Sequence, residues 1–200
     1  MEFSKVSFNE FVKSYEMVIN DDNDESMVKA IYDSIELPKR ATKGSAGYDF
    51  SAPFGFNLNK GDNIVIPTGI RIMNMPSHSA LFLFPRSGHG FKFRFAMANS
   101  VGIIDSDYMY ADNEGHIMVK LCYDGINGSN ILHKIEKKPE GIYIQTMSRG
   151  NDYKSSPNMV TVKYHEKFCQ GIIIPCLRTD DDNTTRYRKG GLGSTDDPER

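Results

Sequence analysis

From Pro38 onward the chain is broken every few residues by Gly, Pro, Asn or Asp, and the stretches between are too short for helices. Segments 46–52, 64–66, 69–74, 79–84, 101–105, 116–123, 142–147, 159–164 and 171–177 each carry apolar, β-branched or aromatic residues over the length of a strand. HIMVKLCY and MVTVKY are the clearest cases. Many short strands between turn residues predict an all-β barrel or sandwich. With 39% hydrophobic residues in 200, such a fold has enough apolar material for a core. A net charge of -2 gives no bulk attraction to nucleic acid. No apolar run approaches the roughly 20 residues of a membrane span, and the first residues lack the apolar stretch of a signal peptide. Cys122, Cys169 and Cys176 are odd in number and form no C-x-x-C pair, as expected of reduced thiols in a cytoplasmic protein.

The first 36 residues read differently. Phe8, Phe11, Val12, Tyr15, Val18 and Ile19 recur at helical spacing, and Ser7 with Glu10 forms a capping box. The acidic DDNDE starts a second helix with Met27, Val28, Ile31 and Ile35 on one face. Neither face carries a charged or histidine cluster, so both helices are expected simply to pack on a neighbouring surface. The organisation expected is a helical extension over 1–36, a β domain over 37–185 with an insertion at about 125–160, and a flexible Gly-rich tail over 186–200.

Five short segments carry residues capable of chemistry. GSAGYDF places Asp49 after a tight turn, and FPRSGHGF follows a Pro with Arg86, Ser87 and Gly88, a set that offers donors to an anion. NSVGIIDSDYMY ends an apolar strand in Asp105, Asp107 and Tyr108. FCQGIIIP sets the amide of Gln170 in an apolar strand, where it needs a partner. RYRKGGLGST combines cations, glycines and hydroxyls as an oligophosphate cradle requires, without being a Walker A loop. Taken singly, each is equally an ordinary turn, loop or tail. The histidines at 78, 89, 116, 133 and 165 lack zinc-ligand spacing, and His89 reads as a solvated loop residue.

In order and spacing, AGYD, PRSG, GIIDSDY, the Q-G strand and R-x-G-G-L-G-S-T resemble the five motifs of the trimeric dUTPases (deoxyuridine triphosphate nucleotidohydrolases). The stretch NEGHIMVKL is similar to a bacterial and phage subset with a longer hairpin after the third motif. The resemblance covers roughly 36–123 and 164–196. It implies a dUTPase-like β-barrel or jelly-roll, hydrolysis of dUTP to dUMP and pyrophosphate with Mg²⁺, and a homotrimer with sites at subunit interfaces. It implies that Asp105 activates the attacking water, that Tyr108 stacks under the deoxyribose and excludes a 2′-hydroxyl, and that Asn99 and the backbone from Gly102 to Asp105 form a uracil-recognising hairpin. Ser87 and Gly88, beside Arg86, match the phosphate-binding turn; Gln170 matches a contact to phosphate and water. Asp49 matches the acid that orients the hydration shell of a Mg²⁺ held through phosphates and waters, with no direct protein ligand. Arg188, Gly191, Leu192, Gly193, Ser194 and Thr195 match the tail that closes over the triphosphate.

Three departures stand out. Leu192 replaces the aromatic residue that normally caps the uracil, and Asp196 and Asp197 follow where the motif usually ends in Gly. The motif's Arg also often sits one residue further from the glycines, so Arg186 and Lys189 share candidacy for its role. Two alternatives stay open: a partly degenerate, nucleotide-gated protein binder using residues 1–35 and 125–158, and a dCTP deaminase of the same fold. The deaminase motif typically runs I-D-P-G, which GIIDSDY does not match.

Overall fold

The computed structural model describes residues 1–19, 25–123, 159–186, 188 and 190, with the backbone alone of 131–138 and 141–148. Thirteen strands and three helices appear among them: β1 (Glu2–Lys5), α1 (Phe8–Ile19), α2 (Glu25–Ser34), β2 (Tyr48–Ser51), β3 (Phe56–Asn59), β4 (Asn63–Pro67), β5 (Ile70–Met73), β6 (Ser79–Pro85), α3 (Ser87–Phe93), β7 (Phe95–Met97), β8 (Gly102–Asp105), β9 (Met118–Tyr123), β10 (Ile131–Lys138), β11 (Gly141–Ser148), β12 (Met159–Val162) and β13 (Lys167–Pro175). A 3₁₀ turn covers Tyr108–Tyr110. The sheets run β2-β13-β6-β8, β4-β9-β7, β12-β3, β1-β5 and β10-β11, all in antiparallel pairs. The all-β expectation holds, in open sheets; among the described residues none closes on itself into a barrel.

Alternation explains the layering. In β6, Leu81 and Leu83 are buried while Phe82 and Phe84 stand half-buried on the other face. Leu81 and Leu83 share one core with Ile66, Val119 and Leu121 of the β4-β9-β7 sheet, with Leu58 and Val160, and with Phe11 of α1. The short FNLN of β3 was hidden by its asparagines, yet it alternates buried and exposed as a strand should. Ahead of the expected helix start at Ser7, the expected helical extension opens instead on β1, because Glu2 to Lys5 pair with Met73 to Ile70 and Phe3 packs its ring on Tyr48 and Phe50. This is tertiary pairing overriding local preference.

The helix starting after Ser7 is capped as expected from one side only. Glu10 donates its N–H to Ser7 Oγ at 3.2 Å, but the N–H of Ser7 goes to Glu114 Oε2 at 2.8 Å. Glu10 turns inward instead, and its Oε1 accepts from Ser14 Oγ at 3.0 Å. α1 therefore carries a buried polar pair beside Phe11 and Tyr15, a feature that its apolar spacing did not reveal. That pair meets His116, which is fully buried, through Nδ1 to Ser14 Oγ at 3.0 Å. Among the described residues no helix is long and apolar enough to cross a membrane.

Burial holds His116 at about 4, against the ordinary imidazole value of 6.5, with Glu114 opposing the shift. The unfolded chain takes up this proton near pH 6.5 and the folded chain only near 4, so the unfolded state is the more protonated between them. Stability is therefore expected to be full above pH 6.5 and to fall by about 3 kcal/mol as pH drops toward 4. Burial tends to raise the Glu114 carboxyl, but its bonds to Ser7 and the charge of Arg71 hold it below the usual range, so it loses stability with acid in the same direction. Denaturant unfolding across pH 7 to 4 measures the slope, and His116→Gln should flatten it.

Candidate active site

The first cluster forms at one end of the four-stranded sheet. Register places Asp49 of β2 opposite Gln170 of β13, and Gln170 opposite Phe84 of β6. Residues directly opposite share a face, so Asp49 and Gln170 point the same way. Arg86, just past β6, brings Nε to 3.7 Å from Asp49 Oδ1. The amide of Gln170 donates to the carbonyl of Pro85 at 3.4 Å. A Cβ at position 47 would stand 2.8 Å from Gln170 Oε1, so Gly47 leaves the space in which this amide sits.

Ser87 and Gly88 follow, not in a loop but in the first turn of α3. Arg86 is extended at its N-cap, with no side-chain cap. First-turn N–H groups lack intrahelical acceptors, so this end can face an anion. Gly88 and Gly90 weaken helix propensity, which hid α3 in the sequence. The helix is held instead by His89, which is buried rather than solvated. Its Nε2 lies 3.0 Å from Glu166 Oε1 and its ring stacks on Phe95 at 5.4 Å. Burial lowers the His89 pKa and Glu166 partly restores it.

The second cluster forms at the end of β8. Asp105 closes that strand and Tyr108 begins the 3₁₀ turn. Arg188 lies on both: its Nη2 bonds to Asp105 Oδ2, its backbone N–H to Asp107 Oδ2 at 3.1 Å, and its guanidinium stands 5.5 Å over the Tyr108 ring. The tail's arginine thus rests on its own chain's Asp105 and Tyr108. The Tyr108 hydroxyl donates to the His116 carbonyl at 3.1 Å and accepts from Asn113 Nδ2 at 2.8 Å. Burial raises the Tyr108 pKa, so the phenol stays neutral.

Asn99 is exposed in the connection between β7 and β8, and its carbonyl accepts the Val101 N–H at 2.7 Å. The connection carrying Asn99 crosses between sheets, since β7 pairs with β9 and β8 with β6. Gly102 is buried against Leu83. Gly191, Leu192, Gly193, Ser194 and Thr195 lie outside the described residues, as do Lys189, Asp196 and Asp197.

One chain does not bring the two clusters together. Gln170 is level with Phe84 and Asp105 with Ala80, at opposite ends of β6. Four residues of strand separate them by about 13 Å. Between them lies an apolar stripe on the outer face, where Ile103 and Ile172 stand opposite Phe82 and Ile174 opposite Ala80. Ile103 is 56% exposed. Among the described residues no three His, Cys, Asp or Glu gather as a metal cage. Sequence reasoning missed Asn113 and His116 as supports of Tyr108; the signal was a polar NEGH before an apolar strand.

The dUTPase family model matches residues 33–127. Deoxyuridine 5′-triphosphate nucleotidohydrolase of Hahella chejuensis is 31% identical over 174 residues, covering 84% of this chain and 91% of its own length. The structure of a dUTPase from Streptococcus mutans aligns with a TM-score of 0.54 at 24% identity, over 90% of this chain and 99% of its own. A mutant dUTPase from phage phi11 of S. aureus, described with a structural Mg(II) ion, aligns at 0.50 with 19% identity, over 77% of this chain and 92% of its own. The motif order, the jelly-roll sheets and the relative matched over nearly its whole length agree, and the chain belongs to the dUTPase family.

Proposed function

We propose that this protein hydrolyses dUTP to dUMP and pyrophosphate in a homotrimer whose sites each combine clusters from different chains. The observation that carries the reading is the separation of Asp105 from Asp49 and Gln170 at the two ends of an apolar, outward sheet face. Self-association over that face covers Ile103 and Ile174, whose exposure is costly in an isolated chain. It also sets the Asp105 end of one chain against the Asp49 end of another.

In the assembled site, Asp105 accepts a proton from a water molecule. The water oxygen bonds to the α-phosphorus, the bond from that phosphorus to the bridging oxygen breaks, and pyrophosphate leaves. Arg86, Ser87 and Gly88 hold phosphate oxygens, Arg86 by charge and the others by first-turn donors. Gln170 contacts phosphate and water from β13. Asn99 and the Gly102–Asp105 backbone read the uracil edge. The face of Tyr108 supports the deoxyribose, a position that Arg188 must leave when substrate enters. Arg188 then joins Gly191, Leu192, Gly193, Ser194 and Thr195 over the triphosphate.

Mg²⁺ fits this donor set as an ion carried by the phosphates. Asp49 is a lone carboxylate, suited to orienting waters on a hard cation rather than to enclosing it. When bound, the ion disperses charge on the phosphate oxygens. The three unpaired thiols support a reducing, cytoplasmic setting.

With dUTP and Mg²⁺, pyrophosphate release is expected, with UTP and dTTP far slower. Asp105→Asn should lower kcat at least about 100-fold without lowering the melting temperature; wild-type turnover in that variant contradicts the assigned base. Gly47→Ala should push the Gln170 amide from its place and reduce kcat/KM about ten-fold, read in the same assay.

A further inference from the structure

Among the described residues of the second cluster, Tyr108 is the ring that lies under Arg188, and its placement does not come from the turn alone. The hydroxyl is pinned by the His116 carbonyl and by Asn113. His116 is in turn fixed from α1. Gly69 donates its N–H to His116 Nε2 at 2.8 Å, which makes Nε2 the acceptor and puts the ring proton on Nδ1. Nδ1–H then donates to Ser14 Oγ at 3.0 Å, and that hydroxyl donates to Glu10 Oε1 at 3.0 Å. Every donor in this chain of bonds has an acceptor, and the ring has no solvent contact.

A second fastening holds the other side of the same loop. Ser7 at the start of α1 gives Glu114 its N–H at 2.8 Å and its hydroxyl at 2.5 Å, and Arg71 adds Nη1 at 3.3 Å. Between the two fastenings, Gly115 has φ +73, and a Cβ there would stand 2.8 Å from Met109 Cα and 2.9 Å from the Tyr108 carbonyl oxygen. The loop thus doubles back on the Tyr108 backbone, with α1 gripping it on both sides of the fold. α1 itself lies outside residues 33–127, the span matched by the family model.

We infer that α1 serves substrate selection: Ser14 and Ser7 are positioning residues that hold the Tyr108 ring at sugar height, through His116 and Glu114 respectively. The inference rests on the reading of Tyr108 as the support of the deoxyribose. A ring free to tilt leaves room for a 2′-hydroxyl, while Asp105, on the other side of the turn in β8, keeps its place. Loosening the grip therefore affects sugar discrimination and KM more than turnover.

The test is the ratio of kcat/KM for dUTP to that for UTP, which does not depend on how much of the protein is folded. Ser14→Ala and Ser7→Ala, measured with Mg²⁺ in the full chain, should each lower the ratio about five-fold, as expected for the loss of the one hydroxyl bond that each makes to the Tyr108 loop. KM for dUTP should rise with kcat within about two-fold. Tyr108→Phe, which keeps the ring and removes its anchor, should lower the ratio similarly, and adding Ser14→Ala should lower it little further. If both serine variants keep the wild-type ratio and lose only melting temperature, α1 is structural and the inference is wrong. Tyr108→Ala separates this from the underlying reading: an unchanged ratio there overturns Tyr108 as the sugar support, whereas a reduced ratio with unaffected serine variants overturns only the role of α1.

Discussion

β13 lies between β2 and β6, and its antiparallel register decides where each chemically active side chain falls. Because side chains alternate, the register that turns Cys169 inward sets Gln170 outward beside Asp49, while Phe168 is buried next to a register shift between Lys167 and Cys169. A slip of one residue would bury the amide and expose the thiol. The interior position of Cys169 is reflected in its thiol, which burial pushes up to about 12 and so keeps neutral and unreactive. The same register aligns Ile172 and Ile174 with β6 and extends the apolar stripe toward the Asp105 row. One strand thus sets the polar cluster, the core and the apolar outer face on which the proposed trimer rests.

The rest of the molecule holds loops to that sheet. α3 is a short, Gly-containing helix stabilised through His89 and its contacts with Glu166 and Phe95. The Tyr108 loop is kept by the buried bonds of His116 and by Glu114. In both cases a histidine is removed from water and a specific acceptor or donor makes its burial tolerable. The cost of burial appears as a lowered pKa at both rings. Site loops are thereby made stiff by groups that do no chemistry themselves.

Much of this was legible in the chain. Asp49, Arg86, Gln170, Asp105 and Tyr108 stood out as candidates because their motifs come in order, and strands were visible where β-branched, aromatic and other apolar residues concentrate between turn residues. What was hidden depends on contacts distant in sequence. β1 exists because it pairs with β5, and α3 forms although two glycines oppose it. His89 and His116 look like surface residues in the sequence, since nothing local shows that each is buried against a partner 77 or 102 positions away. The division of the site into two clusters was also invisible locally. It follows from β6 and β8 running antiparallel, which sends Asp105 to the end away from Gln170.

That division is most directly tested by refolding two defective chains together. Asp105→Asn and Gln170→Ala each remove one cluster and leave the other intact. If a site takes Gln170 from one chain and Asp105 from another, an equal mixture refolded together forms complete sites in about a quarter of cases. The mixture should then recover about a quarter of wild-type dUTP hydrolysis, with each variant nearly inactive when refolded alone. A mixture no more active than the two variants measured separately, beside wild-type protein that recovers fully from the same refolding, would contradict a site shared between chains.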